Sequence, residues 1–340
     1  MSRTIEQRDR AVSGQDRMSP SEKDPRPLFP DGVLVVDKPE GPTSHDVVTL
    51  ARRVLGVPRI GHTGTLDPMA TGVLPLVIGR ATRLAQFLTA SDKAYEATIA
   101  FGRTTDTYDA RGREVTSCTR RPTHDQLDVA VARFRGEFEQ TPPAYSAKNI
   151  DGERSYELAR KGGSKDTPLR PKPVRVAARE VRLVSFDGDT AIVSMTVSAG
   201  FYVRSLAHDL GEALGCGAVL VGLRRTRSGE FGLDSTVPLA QVLESSREIL
   251  ATGVVPMSAL LRELPAVTLR GAASLERLRN GVEMGPSDLV TPFTTAATPA
   301  AAPEAPQNVI VRLMGPDGDL VGLAKPAKTP GFLHGWVVLG

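Results

Sequence analysis

The chain has 340 residues, 40% apolar and 24% charged, a balance that supports about two globular domains and excludes a fibrous or wholly disordered chain. It contains no apolar run long enough for a membrane-spanning helix, and its net charge of +3 does not by itself establish nucleic-acid binding. Cys118 and Cys216 lie far apart with no CxxC partner and no histidine cluster, so a zinc site or disulfide framework is not expected and a cytoplasmic, reducing home is.

Residues 1–30 mix charged residues, Ser and Pro without apolar periodicity and read as a disordered tail, with no apolar h-region of a secretory signal. An apolar strand follows at Gly32–Lys38 and is ended by Pro39. Thr43-Ser44 then caps a helix whose Val47, Val48, Ala51, Val54 and Leu55 recur at helical spacing until Gly56 stops it. Tyr95–Phe101 reads as a strand, residues 124–134 as a helix and 190–197 as another strand. Val203, Leu206, Ala207, Leu210 and Leu214 form one helical stripe ended by Gly215. The elements mix without a βαβ rhythm, which predicts an α+β fold with a mixed, mainly antiparallel sheet. Short strands around Ala266–Leu269, Asn308–Leu313, Leu320–Ala324 and Gly335–Leu339 predict a small β domain over 260–340, broken by a low-complexity insert at 285–306.

Between Arg154 and Arg182 nine Lys/Arg face three acids, a local charge of +6 against +3 for the whole chain. Gly and Pro make the middle of it loop-like, so 141–182 is expected to be a basic insert suited to a polyanion or simply solvated. Arg224, Arg225 and Arg227 form a second cluster that raises the nucleic-acid reading.

The stretch from Gly61 to Gly72, GHTGTLDPMATG, presents one carboxylate, Asp67, on a constrained loop beside His62. Its glycines permit unusual backbone angles and close approach of another molecule, and Pro68 holds Asp67 extended. Read alone, Asp before Pro is also a common turn initiator. No P-loop lysine follows.

GHTGTLDPMATGVLPLVIGRATRL, the upstream KPEGPTSHDVV, KAYEATIAFGRTTDTYDARG, QTPPAYSAKNIDGERSYELARKG and SAGFYVRSLAHDLGEALGCGAVLVGLRRTRSG occur in this order. Together these blocks closely resemble the TruB family of tRNA pseudouridine synthases, densely over residues 31–235. NGVEMG, DGDLVGLAK and GWVVL near the C-terminus are similar to a PUA-type RNA-binding domain. The chain departs from the family pattern at Asn149, where a lysine is usual and here stands one position earlier as Lys148. The tail 1–30 and the insert 285–306 have no counterpart in it.

The resemblance implies a catalytic domain over 31–259, a PUA-like domain over 260–340, and isomerisation of uridine-55 in the tRNA T loop by base flipping, without metal or cofactor. By the same resemblance Asp67 is the nucleophile, able to add to the sugar or to stabilise its oxocarbenium ion. Arg204 is the arginine that pairs with it and orients it. Tyr95 is the aromatic platform for the flipped base, Tyr202 a proton acceptor or hydrogen-bond partner of the uracil, and Leu223 an apolar wall. His62 enters the space the nucleotide leaves, and Lys38 supports the active-site loop or a phosphate. The expected partner is the T stem-loop alone, bound by a monomer with no obligate protein partner and no membrane. A guide-RNA-dependent relative and a tRNA-binding folding chaperone are the alternatives.

Overall fold

The computed structural model describes residues 29–145, 149–150, 153–154, 171–291, 293 and 309–339. Arg160, Lys161, Lys165, Arg170 and Lys148 of the basic insert, and the tail up to residue 28, lie outside the described residues, as do 292 and 294–308.

Strand β1 (Gly32–Lys38) is followed by helix α1 (Ser44–Leu55), the short strand β2 (Ile60–His62) and strand β3 (Ala70–Ile78). The short helix α2 (Ala85–Thr89) leads to β4 (Lys93–Phe101), then come α3 (His124–Ala132) and β5 (Gly136–Gln140). Strands β6 (Val174–Phe186) and β7 (Thr190–Val197), helix α4 (Val203–Leu214) and strand β8 (Ala218–Ser228) complete the main layer. The sheet runs β1-β3-β8-β4-β7-β6-β5, with β2 on β3. Only the β3–β8 contact in that order is parallel. The fold is therefore α+β with a mixed, mainly antiparallel sheet.

Local chemistry explains the helix ends. Thr43 and Asp46 close a capping box on α1, and Gly56 ends it in the left-handed region at φ 63°. Gly215 does the same for α4 at φ 66°. The predicted stripe of α4 packs with α3 onto β4, β6, β7 and β8 through Leu206, Ala207, Leu210, Ile99, Val193 and Leu127. The apolar run of β1 is continuous because both its faces are covered. Leu34 and Val36 join Leu74, Leu76 and Ile78 under α1, whereas Val33 and Val35 join Val73 and Val77 on the opposite side.

That opposite side receives the C-terminal β domain. Its sheet orders β9 (Ala266–Thr268), β10 (Val311–Met314), β11 (Leu320–Pro326) and β12 (Leu333–Val338). Leu320, Leu323 and Leu339 share one apolar cluster with Val33, Val73 and Leu84, and Arg80 and Arg83 donate to the carbonyls of Leu339 and Val338. The small domain thus completes the core of the large one.

Three boundaries differ from the sequence reading, and one cluster proves to be engaged within the protein. Phe29 is not tail: it is buried beside α1 under the Arg247 guanidinium. The insert does not reach 182, because from Val174 the chain is a 13-residue sheet strand. Its Arg175 and Arg179 pair with Glu137 and Asp92 brought by distant elements. The low-complexity insert does not begin at 285, since Pro286–Asp288 is a helical turn and Leu289 is fully buried against Leu269 and Met284. The cluster Arg224, Arg225 and Arg227, which raised the nucleic-acid reading, is bonded within the protein. It lies on β8, where Arg224 pairs with Asp37 at 2.8 Å, Arg225 donates to Val73 O and Gly64 O, and Arg227 donates to Gly229 O.

The close approach that the loop glycines permit is made by the protein's own strand. Gly72 sits at φ 101°, and a Cβ there would lie 2.2 Å from the Arg225 carbonyl oxygen. Gly72→Ala is expected to cost about 1–3 kcal/mol from backbone strain alone, with a lower Tm in thermal unfolding. Arg224→Gln is expected to leave the salt dependence of the nucleic-acid binding anticipated from the sequence unchanged and to cost no more than about 1 kcal/mol of stability. A slope flatter by about 0.7–0.9 would instead mean a lost phosphate contact.

Candidate active site

Asp67 is fixed by its flanks before any partner is considered. Ser44, the residue after the helix cap, exchanges two hydrogen bonds with Leu66: its hydroxyl donates to Leu66 O and accepts from Leu66 N–H at 2.8 Å. Gly41 N–H donates to Pro68 O, and Ala70 N–H closes the turn onto Asp67 O. Lys38 is fully buried and spends its ammonium on Ala70 O at 2.7 Å, Pro39 O at 2.8 Å and Pro68 O at 3.4 Å. Of the two roles open to Lys38, the contacts are those of loop support. Burial, aided by nearby Arg111, pushes its pKa down to about 8, and Asp67 opposes that shift.

Arg204 projects from the first turn of α4, where the helix dipole disfavours a cation. It is 8% exposed and is compensated by two carboxylates. Its Nε lies 2.9 Å from Asp67 Oδ2 and its Nη2 3.3 Å from Asp67 Oδ1, a two-pronged pairing. Nη1 lies 3.6 Å from Asp109 Oδ2, and the remaining donors reach Thr107 O and Tyr145 O. The turn carrying Thr107 and Asp109 places Tyr108 at φ 63° and stacks its ring on His208 of α4 at 3.9 Å. From the other side Gln140 accepts from Tyr202 N–H at 2.8 Å and donates to Tyr202 O at 3.0 Å. Ser205 Oγ donates to Thr141 O at 2.7 Å. The end of α4 that carries Arg204 is thus clamped at backbone level.

Asp67 and Arg204 open into a cavity of about 290 Å³ lined also by Tyr95, Tyr202, Leu223, Phe201, Lys93 and Arg225. Strand periodicity makes the lining. Lys93 and Tyr95 are two apart on β4, Leu223 and Arg225 two apart on β8, and Tyr95 stands directly across from Arg225. A bulge in β8 between Arg225 and Arg227 bends the strand here. Tyr95 is half-buried and touches the core clusters on both sides, so it is at once a packing residue and a cavity wall. His62 is outside the lining. Its Nδ1 accepts from Gly64 N–H at 3.3 Å, and burial, then Arg225 and His45, hold its pKa below the usual value.

Five of the seven expected site residues therefore meet in one cavity: Asp67, Arg204, Tyr95, Tyr202 and Leu223. Lys38 and His62 brace the loop behind it. Asp109, Gln140, Lys93 and Arg225 were not singled out for the site from the sequence, although all four stand inside the resembling blocks and Arg225 was read as part of a basic cluster. A buried carboxylate or amide is legible as a partner only once the strand or helix it faces is known.

Comparison with known proteins fits this geometry. The family model described as TruB family pseudouridylate synthase, N-terminal domain, matches residues 52–203, and that of the tRNA pseudouridylate synthase B C-terminal domain matches 204–262. The chain is 44% identical over 312 residues to tRNA pseudouridine synthase B of Solibacter usitatus, covering 91% of this chain and 100% of that one. It is 42% identical to the protein of the same name from Cupriavidus metallidurans, over 86% and 90% of the two chains. Among solved structures it resembles an H/ACA RNP bound to a substrate RNA containing 2′-deoxyuridine, with a TM-score of 0.68, 23% identity and coverage of 92% and 86%. It also resembles an archaeal box H/ACA sRNP Nop10-Cbf5 complex, with a TM-score of 0.66, 24% identity and coverage of 93% and 89%. At those identities the likeness to the two structures is one of fold. Matched by the family models over residues 52–262 and by relatives at 42–44% identity over most of its length, the chain belongs to the TruB family of pseudouridylate synthases.

Proposed function

We propose that this chain converts uridine-55 in the T loop of tRNA to pseudouridine, acting as a single chain in the cytoplasm. Family membership makes it a tRNA pseudouridine synthase, and the T-loop position follows from the TruB family. The observation that carries the reading is the Asp67–Arg204 pair, 2.9 Å apart at the floor of a cavity walled by two tyrosines and a leucine. All of these groups come from one chain, which supports action without a partner subunit. The C-terminal β domain, with its PUA-like segments, adds RNA-facing surface in this reading.

The reaction needs the N1–C1′ bond broken, the uracil turned, C5 joined to C1′ and the C5 proton removed. The Asp67 carboxylate meets the positive charge that develops at C1′. Arg204 holds that carboxylate in one orientation without hiding it, since the Asp67 side chain keeps 36% exposure toward the cavity. The uracil must leave the loop stack to arrive there, and the Tyr95 ring offers a replacement surface. In this reading Tyr202, at the N-cap of α4 and in the cavity lining, accepts the C5 proton or bonds the turning base.

Asp67→Asn is expected to reduce tritium release from C5-labelled uridine in a T-loop transcript by at least about a thousandfold, with tRNA affinity within about twofold. Retained turnover would remove Asp67 from the chemistry. Tyr95→Phe keeps the ring and is expected to bind the loop normally. Tyr95→Ala is expected to lose about 1–3 kcal/mol of base capture, read by a 2-aminopurine reporter beside the target. Normal flipping by the alanine variant would mark Tyr95 as core alone.

A further inference from the structure

The cavity contains two cations that the chemistry above leaves without a task. Lys93 is 6% exposed and Arg225 1%, and both line the wall that carries Tyr95. Lys93 Nζ donates to Thr89 O and to Ser91 O at 2.6 Å. Arg225 donates from Nε to Val73 O at 2.7 Å and from Nη2 to Gly64 O at 3.1 Å. All four acceptors are neutral carbonyls. Among the described residues neither cation has a carboxylate within ion-pair distance, whereas Arg204 has two and Arg224 has one.

Two like charges buried side by side without a counter-ion are costly, and chains normally neutralise or pair them. The mutual repulsion is visible at Lys93, whose pKa is brought down to about 8 by burial first and by Arg225 second. The donor count leaves capacity. An ammonium has three N–H groups, of which Lys93 spends two, and a guanidinium has five, of which Arg225 spends two. Gly64 lies against the pair, where a Cβ would be in van der Waals range of Arg225 Nη1 and Lys93 Cε, and its φ of 146° is a backbone angle that favours glycine. The hydroxyl residues Thr89 and Ser198 line the same cavity.

We propose that Lys93 and Arg225 form a phosphate subsite that receives a phosphodiester flanking the target nucleotide once that nucleotide is in the cavity. The inference rests on the function proposed above. Among the described residues neither cation has a carboxylate within ion-pair distance, Asp92 acting on Lys93 only from farther off, and the RNA brings the close anion. The contact carries no sequence information. It sets the register of the strand so that C1′ of one nucleotide, and not its neighbour, faces Asp67.

The test uses T stem-loop oligonucleotides in which the phosphate on the 5′ or the 3′ side of the target uridine is replaced by an uncharged methylphosphonate, with a stem-phosphate replacement as control. Affinity and single-turnover conversion are measured for the wild-type chain, Lys93→Met and Lys93→Arg. The wild type is expected to lose tenfold or more in affinity at one of the two flanking positions. Lys93→Met should show a comparable loss on native RNA and no further loss with the neutral linkage at that position. Lys93→Arg should recover most of the native affinity. A wild type indifferent to both flanking replacements overturns the subsite without recourse to any variant, and so does a Lys93→Met chain that remains fully sensitive. Conversion of native RNA by the wild type is read separately, so coupling without conversion would sink the proposed function and conversion without coupling would sink the subsite.

Discussion

The arrangement of this protein turns on the ion pair between Asp67 and Arg204. A guanidinium in the first turn of a helix opposes the helix dipole, and burying it is unfavourable unless carboxylates come to it. Two do, from opposite directions: Asp67 from the loop between β2 and β3, and Asp109 from the turn after β4. Each of those segments must then be held, and the surrounding contacts serve that need. Lys38 and Ser44 hold the Asp67 loop, the Tyr108–His208 stack holds the Asp109 turn on α4, and Gln140 holds the backbone of Tyr202. Because the partners are backbone carbonyls and rigid rings, the carboxylate keeps one orientation while its oxygens remain open to the cavity.

That geometry needs a sheet able to bring remote segments to one point. The parallel contact between β3 and β8 sets Leu223 beside Ala70 and Arg225 beside Gly72, over 150 residues apart in the chain. Strand β4 then lies across β8 with Tyr95 opposite Arg225. Period two turns Lys93, Tyr95, Leu223 and Arg225 toward the cavity, and the bulge in β8 interrupts the ladder there before pairing resumes at Arg227 and Ser228. The β1–β3 half of the sheet is covered on one face by α1 and on the other by the C-terminal domain, which explains the unbroken apolar run from Val33 to Val36.

Local elements were legible because local chemistry decides them. Thr43 with Asp46, Gly56, the stripe from Val203 to Leu214 and Gly215 specify two helices and their ends, and the structure matches these residue by residue. The candidate site was legible only through family resemblance, and five of the seven residues it pointed to line one cavity. Partnership was not legible. Whether Arg225 is a surface cation or a buried one depends on β3 lying beside it, and whether Arg175 is free depends on Glu137 arriving from β5. Phe29 and Leu289 were assigned by the composition of their neighbourhoods, yet single apolar residues at the edge of polar stretches pack where a core has a vacancy.

The distribution of charge carries the last step. A count of Lys and Arg overstates the surface available to RNA, because Arg224, Arg175 and Arg179 are paired with carboxylates within the protein. Exposed pairs of this kind contribute little stability, about 1 kcal/mol or less each. They do set where positive potential survives, since a paired cation attracts a phosphate weakly. In the cavity the balance is reversed. Arg204 is matched by carboxylates and serves to orient, whereas Lys93 and Arg225 are bonded only to carbonyls and retain their charge in a setting that screens it poorly. An anion entering there meets a field that solvent has not already neutralised, and it meets it within reach of Asp67. On the proposed reading, a mildly basic chain holds a polyanion at one nucleotide by concentrating unpaired charge beside Asp67 and pairing much of it elsewhere.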